Sequence, residues 1–442
     1  MPEERENLAS NRQWRQNTVA GTGQDEYYTY DGLYQVSTLK RGTLTGNPPS
    51  GISGTPSWEE NWNYDPTGNW RGSSTAYLTK VNGSTTLNQN RTHNVANEIT
   101  DITESTGTAW PTPTQDAAGN LTVVPRPLSL GNSFDLKWDA WNRLTEVKNT
   151  GGSVIATYRY DGATRRVTKY DGTNTRHYYY SDQWQVLEER LNSSSSADRR
   201  FVWGLRSVDD LILRDDTSLR LYALSDAMGS VTAVVNTSGT VQQRYGYDGF
   251  GTPRYMDIDF DPASELFGWE TLFDGYRYDR DSGLYQVRYR FLHPSLGRWI
   301  GRDPASELAF EMEFRPGQQP IMGTEIINLY AYVRNRPISD IDHNGLGVIA
   351  IPVVILLLLR ALLLILLFLA AVYCLSRIRW PRIRSRLRQC RCTKRFTEEE
   401  PPADCPDRVY GWGTTRGSCQ RDAKATAPPH CRKYYGHCDW TK

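Results

Sequence analysis

The sequence predicts a mainly β protein built from a strip of hairpins, followed by one apolar helix and a small cysteine-rich tail. From about residue 27 to residue 289, short runs that alternate bulky β-forming residues with polar ones are separated by turn signals. Residues 348–376 are apolar and almost uncharged. All seven cysteines of the 442-residue chain fall in its last 69 residues. The chain therefore has two unlike parts.

The turn signal of the first part is an aspartate, usually after an aromatic residue, with glycine or asparagine three positions later. It occurs at Asp65, Asp116, Asp139, Asp226 and Asp248, and YRYDRDSGLYQVRYR around Asp279 continues the series. Such an aspartate accepts hydrogen bonds from the backbone amides ahead of it, and glycine supplies the positive φ of the turn. Asp139 and Asp161 are 22 residues apart, which fits one hairpin with its return turn. No long amphipathic helix is expected before Gly347.

The apolar segment is long enough to cross a bilayer. It carries one charge, Arg360, among roughly 25 apolar positions, and about 20 suffice for a membrane-spanning helix. A buried core helix is the alternative, but such helices rarely remain apolar on all sides over this length. We therefore expect a transmembrane helix within residues 347–376. The residues expected in the bilayer include Ile349, Leu357, Leu364 and Leu369.

A basic run follows the apolar segment. Residues 377–395 hold nine basic side chains and no acidic one, so the remainder of this chain of net charge +1 is acidic. Beside a membrane helix, such a run stays on the cytoplasmic side and contacts anionic headgroups. Nucleic acid is the rival partner, because a basic run alone reports only attraction to polyanions. The lipid bilayer is the partner that the sequence favours.

The cysteines of the tail, residues 396–442, admit two uses. Cys390 and Cys392 form a C-x-C pair just before it, and no C-x-x-C pair occurs. Disulfides are favoured in an oxidising compartment, without a deducible pairing. A metal site is the alternative, and its candidate ligands are Cys405, Cys419, Cys431, Cys438, His430 and His437. We expect neither a resident metal nor another cofactor.

Common catalytic and targeting signatures are absent from the sequence. There is no G-x-S-x-G, no P-loop, no H-E-x-x-H and no G-x-G-x-x-G at a strand-to-helix turn. The first residues, MPEERENLASNRQW, show no cleavable signal peptide. We expect a secreted, cell-surface or membrane-associated protein.

Three segments together resemble a known bacterial family. They are LSDAMGSVTAVVNTSGTVQQRYGYDGFGTP (224–253), GYRYDRDSGLYQVRYRFLHPSLGRWIGRDP (275–304) and NLYAYVRNRPISDIDHNGL (328–346). With the repeated YD turns they resemble an RHS/YD-repeat protein ending in its RHS-associated core, as in polymorphic toxins and Tc-toxin C subunits. The resemblance implies part of a hollow β-shell. The domains would be a polar segment (1–26), YD repeats (27–223), the core (224–346), the apolar helix (347–376), the basic run (377–395) and the tail (396–442).

In that family, the core cuts the chain just before a C-terminal effector, as an internal aspartic protease. The resemblance places the catalytic aspartates on Asp303 and Asp342, with Arg302 biasing which of them stays ionised. The cut would separate Leu346 from Gly347. Two carboxyl groups that share a proton are suited to peptide hydrolysis, since one activates water and the other protonates the leaving group. His343 replaces the usual proline, residues 311–326 lengthen the interval, and Asp340 is a competing candidate.

Three functions remain open from the sequence. The first is a self-processing carrier, a single-turnover autoprotease that releases a membrane-inserting effector. The second is a non-catalytic, membrane-anchored surface protein. The third makes the tail an enzymatic effector such as a nuclease. Partners expected besides the bilayer are an N-terminal shell fragment or second shell chain, and an immunity protein.

Overall fold

The computed structural model describes residues 3–6, 11–304, 328–346, 388–393 and 402–441. The chain divides into two compact units, Met1–Ile349 and Ala350–Lys442. The described part of the first unit consists almost wholly of antiparallel strands joined by short turns. The prediction of a mainly β protein is confirmed for these residues.

Two long meandering sheets make up most of the first unit. The first has eight strands, β1 (Glu3–Glu6), β2 (Arg12–Gln16), β3 (Asp25–Tyr30), β4 (Val36–Gly42), β7 (Trp58–Trp62), β8 (Tyr77–Val81), β9 (Ser84–His93) and β10 (Ile99–Thr106), with β5 (Leu44–Thr45) and β6 (Gly51–Ile52) as a separate pair. The second has fourteen strands in unbroken chain order. They are β11 (Thr114–Gln115), β12 (Leu121–Arg126), β13 (Ser129–Trp138), β14 (Leu144–Asn149), β15 (Val154–Tyr160), β16 (Arg166–Tyr170), β17 (Thr175–Tyr180), β18 (Val186–Leu191), β19 (Arg199–Trp203), β20 (Leu211–Asp216), β21 (Arg220–Ser225), β22 (Val231–Val235), β23 (Val241–Tyr247) and β24 (Pro253–Met256).

The alternation of side chains explains why these runs form a two-sided sheet. Leu136, Val147 and Ala156 lie in register on β13, β14 and β15, and all three are buried. On the opposite face, Lys137 pairs with Glu146 at 2.7 Å. Because successive side chains of a strand point to opposite faces, one face packs into the core and the other carries charges.

The turns between strands follow the predicted geometry. The Asp139 Oδ1 atom accepts the amides of Trp141 and Arg143 at 2.9 and 3.0 Å. Asn142 has φ +57°, the left-handed conformation that asparagine tolerates. Asp279 does not continue this series: its turn is one residue longer and closes through the Gly283 amide. Its carboxylate is buried and binds distant basic groups, Arg166 and Lys169, at 3.0 and 2.8 Å.

A small sheet lies in the core of the first unit and positions the candidate site. It is formed by β25 (Arg277–Asp279), β26 (Leu284–Val287), β27 (Arg290–His293) and β28 (Arg298–Trp299) in that order. Short 3-10 turns occupy Phe273–Gly275 and Val333–Asn335. Every residue of β26, β27 and β28 is buried. A charged side chain on these strands therefore needs a partner inside the protein.

The second unit contains a small disulfide-bonded module. Its three-stranded sheet has the order β30 (Arg408–Gly413), β29 (Arg388–Thr393), β31 (His437–Trp440), and helix α1 (Arg416–Thr426) and a 3-10 turn (Pro429–Tyr434) complete it. The disulfides are Cys390–Cys419, Cys392–Cys438 and Cys405–Cys431. The central strand β29 belongs to the basic run 377–395, which the sequence analysis treated as a separate segment.

Within the described ranges, no helix has both the length and the apolar character needed to cross a membrane. The predicted transmembrane segment, including Ile349, Leu357, Leu364 and Leu369, lies outside those ranges.

Candidate functional site

Asp342 begins a turn of the same kind as the repeat turns. Its Oδ1 atom accepts the amides of Asn344 and Leu346 at 3.3 and 3.2 Å. Gly345, three positions after the aspartate, has φ +66°. A Cβ atom on Gly345 would collide with the carbonyl oxygen of Val287, so this position requires glycine for space as well as for conformation. The turn fixes the chain up to Leu346.

The second carboxylate oxygen of Asp342 points to a buried arginine that it shares with Asp303. Arg290 Nη2 lies 3.0 Å from Asp342 Oδ2 and 3.2 Å from Asp303 Oδ2. The two Oδ2 atoms are therefore no more than about 6.2 Å apart, the sum of these distances. All three side chains are buried. The fold thus brings together the two aspartates, which are 39 positions apart in the sequence.

Arg290 also holds the backbone on either side of the pair. Its Nε atom donates to the Gly345 carbonyl oxygen, and Nη1 donates to the Leu329 carbonyl oxygen at 3.4 Å. The Leu329 oxygen accepts the Asp303 amide at 3.0 Å as well. Burial lowers the pKa of Arg290 below its ordinary value, and the charges of Asp303 and Asp342 offset part of that fall. The guanidinium stacks 4.2 Å from the ring centroid of Trp299.

A tyrosine fixes the backbone of Asp342. The Tyr276 hydroxyl accepts the Asp342 amide at 3.0 Å and donates to the Asp342 carbonyl oxygen at 2.8 Å. The Tyr332 hydroxyl lies 3.2 Å from that of Tyr276 and 2.6 Å from Asp274 Oδ2. Burial raises the pKa of Asp274 well above its usual range. These buried polar groups hold the first residue of the turn in one orientation.

The other predicted residues near the site have different surroundings. Arg302 Nη2 pairs with Glu98 at 2.8 Å, and its Nε atom lies 3.3 Å from the Tyr330 hydroxyl. The guanidinium between the two aspartates thus comes from Arg290, not from the adjacent Arg302. Asp340 pairs with Arg336 at 3.5 Å.

The residues on the downstream side of the site differ in how far the structure describes them. His343, at the position of the family's proline, is exposed, and its Nδ1 atom lies 3.4 Å from Asp209. Leu346 is half-buried. Gly347 lies outside the described residues.

Arg290 and Tyr276 were missed by the sequence analysis. Arg290 lies in VRYRFLH, where basic residues alternate with large ones, a pattern typical of a strand with one solvated face. Pairing on both edges, with β26 and β28, buries it instead. The available signal was an arginine at the start of a strand, β27, in the motif that carries the family resemblance.

The four candidate cysteines of the tail are paired in disulfides in the structure. Cys405, Cys419, Cys431 and Cys438 are all half-cystines, and a cystine sulfur lacks the thiolate that binds metals. His430 Nε2 lies 2.8 Å from Asp404 Oδ2 at the surface. The side chain of His437 lies outside the described residues.

Comparison with known proteins places these features in a family. The profile of the Teneurin YD-shell family matches residues 134–338, which include the whole of β14 to β28 and Asp303. Over these residues the chain is an RHS/YD-repeat shell protein. Among curated relatives, the tRNA3(Ser)-specific nuclease WapA of Bacillus spizizenii is 25% identical over 61% of this chain and 10% of its own length. Toxin subunit YenC1 of Yersinia entomophaga is 25% identical over 76% of this chain and 34% of its own.

Further similarities are more distant or shorter. Toxin protein Tse5 of Pseudomonas aeruginosa is 26% identical over 54% of this chain and 19% of its own length. The crystal structure of TcdB2-TccC3-Cdc42 has a TM-score of 0.43 at 17% identity, covering 78% of this chain and 18% of that one. This RHS/YD-repeat chain thus spans between a tenth and about a third of the length of these three curated relatives.

Proposed function

We propose that this RHS/YD-repeat shell protein is a self-processing carrier of a C-terminal toxic effector. Its core cleaves the Leu346–Gly347 bond in cis, once per chain, with Asp303 and Asp342 as the catalytic pair. The piece that begins at Gly347 inserts into a target membrane through residues 348–376. We place the protein among secreted or cell-surface toxins, in keeping with relatives that are named as toxins and toxin subunits.

The observation that carries the proposal is the buried carboxylate pair beside Leu346. The Leu346 amide lies 3.2 Å from Asp342 Oδ1. Standard backbone dimensions put the Leu346 carbonyl carbon about 2.5 Å from its own nitrogen, and hence within about 6 Å of that carboxylate. A water molecule between a carboxylate and this carbonyl carbon would need a separation of this size.

The proposed step consumes one water molecule. The ionised carboxylate takes a proton from water as the water oxygen attacks the Leu346 carbonyl carbon. The protonated carboxyl gives its proton to the Gly347 nitrogen as the C–N bond breaks. Leu346 then ends in a carboxyl group and Gly347 begins with an amine, and the pair again carries one proton.

Arg290 is a positioning residue in this proposal. A cation between two buried carboxylates offsets their mutual repulsion and the cost of burying them. Its bond to the Gly345 carbonyl oxygen also holds the chain just before the proposed cut. Arg302 contributes through the Glu98 ion pair and the Tyr330 hydroxyl, which anchor the segment that carries Asp303.

The test is the intact mass of the expressed protein. Wild type should yield two fragments, one ending at Leu346 and one beginning at Gly347. Asp303→Asn and Asp342→Asn should each slow cleavage by about 100-fold or more, the usual loss when a general acid or base is removed. Asp139→Asn, in a repeat turn, and Asp340→Asn should cleave like wild type. A single uncleaved species for the wild-type protein would refute self-processing.

Two other functions are separated by further assays. If the chain is a membrane-anchored surface protein, wild type stays intact and bound to membranes. If the tail is a nuclease, as the name of the WapA relative suggests for that protein, the cleaved protein degrades RNA. Our proposal expects the cleaved protein to release dye from lipid vesicles. The double variant Leu357→Arg/Leu364→Arg should abolish that release, because charges at the centre of a membrane segment oppose insertion.

We also propose that the shell is completed by more protein than this chain. The toxin-subunit relatives are about three times longer than the part that this chain matches. A second shell chain or an N-terminal shell fragment would supply the rest. An immunity protein that binds the effector is the further partner expected of a toxin-producing cell.

A further inference from the structure

The sheet of the C-terminal module has one covered and one open face. On the covered face, Cys390, Cys392 and Val409 are buried. Cys390 is bonded there to Cys419 of α1. The side chains of the other face alternate with these along β29 and β30. Among the described residues, α1 packs on the first face, while the second carries exposed side chains that are available to a partner.

Aromatic and basic side chains lie in register on the open face. Tyr410 and Trp412 of β30 are 44% and 55% exposed, and because they are two positions apart on one strand, both rings lie on the open face. Arg391 of β29 is the register partner of Tyr410, and Arg408 lies two positions before Tyr410 on the same face. Both arginines are exposed. The face thus combines two aromatic rings with two guanidinium groups.

The charge of the module favours an anionic partner. Its described residues, 388–393 and 402–441, contain eight Lys or Arg and four Asp or Glu. One of the acids, Asp439, lies on the open face beside Arg391 and is 4.0 Å from Arg416. The remaining basic groups give the module a net positive charge, which attracts polyanionic surfaces.

We propose that this open face docks on the headgroup region of an anionic phospholipid bilayer. Tyr and Trp are the residues that prefer the membrane–water interface, and arginines bind lipid phosphates. Arg388, where β29 begins, follows the apolar segment's last residue, Ser376, by 12 positions. Those positions span at most about 40 Å of extended chain. The inference rests on the proposed function in one respect: insertion of the apolar segment would bring the open face close to lipid.

The disulfides favour lipid over nucleic acid as the occupant. A single strand of nucleic acid would use the same chemistry, stacking on aromatic rings and pairing with arginines. The module, however, fills its core with six half-cystines, which persist in oxidising compartments and not in the cytosol. Membrane surfaces are abundant in such compartments.

The test uses the full-length oxidised chain and flotation with lipid vesicles. All proteins carry Leu357→Arg/Leu364→Arg, so that the apolar segment does not mask the contribution of the face. Binding should be strong to vesicles containing about one third phosphatidylglycerol, weak to pure phosphatidylcholine, and reduced by salt. Arg391→Gln/Arg408→Gln should weaken binding to the anionic vesicles roughly 10- to 30-fold at low salt. Tyr410→Ala/Trp412→Ala should weaken it to a similar extent.

The matched controls are exposed residues of the shell. Trp141→Ala, which removes a ring that is 75% exposed, and Arg200→Gln should leave binding unchanged. Six of the seven cysteines form the three disulfides, so no more than one reactive thiol per chain, that of Cys374, verifies that the disulfides remain formed in each variant.

The outcomes separate this inference from the proposed function. Equal binding to neutral and anionic vesicles, or variants of the face that bind like wild type, would overturn the inference. Binding of single-stranded DNA with no binding to anionic vesicles would also overturn it. Salt-sensitive binding that depends on the face would support it even if the parent protein is neither cleaved nor releases dye, results that would refute only the carrier proposal.

Discussion

Asp139 in the repeats and Asp342 in the core make the same local turn but use it differently. In both, Oδ1 accepts the amides two and four positions ahead. In the repeat turn, Oδ2 binds Arg143, the residue that closes the turn, at 2.7 Å near the surface. In the core turn, Oδ2 binds Arg290, 52 positions away and buried.

The difference shows how a repeated structural element becomes a candidate catalytic site. Burial alone would raise the pKa of Asp139, but the hydrogen bonds from Arg143 lower it below its usual value. That aspartate is satisfied by its own turn. Asp342 pairs instead with Arg290 of β27, and the same arginine also pairs with Asp303. In both turns the amide hydrogen bonds to Oδ1 orient the carboxylate. The partner of Oδ2 differs, and only in the core does it place a second aspartate nearby.

The largest expected effect comes from removing the shared arginine. Arg290→Met should cost about 3–5 kcal/mol of unfolding free energy, because it leaves two buried carboxylates without their cation. Arg143→Met, in the repeat turn, should cost no more than about 1 kcal/mol, since that pair is partly solvated. Urea denaturation followed by tryptophan fluorescence measures both. Similar losses for the two variants would contradict the distinction between the turns.

The second effect concerns Asp248, a repeat-type aspartate that faces another carboxylate. Its neighbour Glu60 accepts hydrogen bonds from the Tyr77 hydroxyl at 2.6 Å and the Gly249 amide at 2.7 Å. Burial, together with the charge of Asp248, raises the pKa of Glu60 to about 7, and Arg41 opposes this rise. The folded state therefore holds a proton that the unfolded chain releases near pH 4.5.

The stabilisation from this proton is present below about pH 4.5 and is lost as the pH rises to about 7. Between pH 5 and pH 8 the loss should be about 2–3 kcal/mol. Burial lowers the pKa of His93 to about 3 and of His293 to about 4, and these groups act in the opposite direction. The measured quantity is therefore the difference between wild type and Glu60→Gln at each pH. A difference that does not change with pH would contradict the assignment.

The third effect concerns how closely the turn glycine is packed in the core turn and in a repeat turn. Gly345→Ala should cost about 2 kcal/mol or more, because the left-handed backbone disfavours alanine and the new methyl group meets the Val287 carbonyl. Gly239→Ala is the matched control: it has φ +77° and open space around it, so about 1 kcal/mol is expected. Thermal unfolding compares the two variants, and Gly345→Ala should also slow the proposed cleavage. Equal losses would show that the core turn is no more crowded than a repeat turn.

The smallest effect is a gain. Thr164 follows Asp161 by three positions and has φ +66°, which a β-branched residue adopts with strain. The preceding repeat has Asn142 at the equivalent position. Thr164→Asn should therefore stabilise the protein by about 0.5–1 kcal/mol, measured by the urea midpoint. A loss of stability would mean that the threonine side chain makes contacts worth more than the strain.

The sequence predicted the repeat turns well because each is a local event. The aspartate, the glycine or asparagine three positions later and the alternating strand residues all lie within one hairpin. Asp279 looked like the others, yet its carboxylate binds Arg166 and Lys169 of β16, more than 100 positions earlier. Nothing in the spacing around Asp279 reports such distant partners.

The candidate site could be predicted only in part from the sequence. The family resemblance supplied Asp303 and Asp342, and the structure places both on one guanidinium. Arg302, which the resemblance placed beside the first aspartate, was expected to bias which of the pair stays ionised. Its guanidinium reaches Glu98, and the cation between the aspartates comes from the neighbouring strand. The role of Arg290 depends on the pairing of β27 with its neighbouring strands, which could not be predicted from the sequence.

The shell and the C-terminal module differ in their cysteine content and therefore in their response to the redox state of a compartment. Residues 1–373 contain no thiol, so the shell takes no part in thiol–disulfide exchange. The module beyond it derives much of its core from cystines. Under the carrier proposal, a cell that makes this protein in a reducing compartment would hold a folded shell joined to an effector whose disulfides have not yet formed. The effector would gain its structure only after export, when the producer is no longer exposed to it.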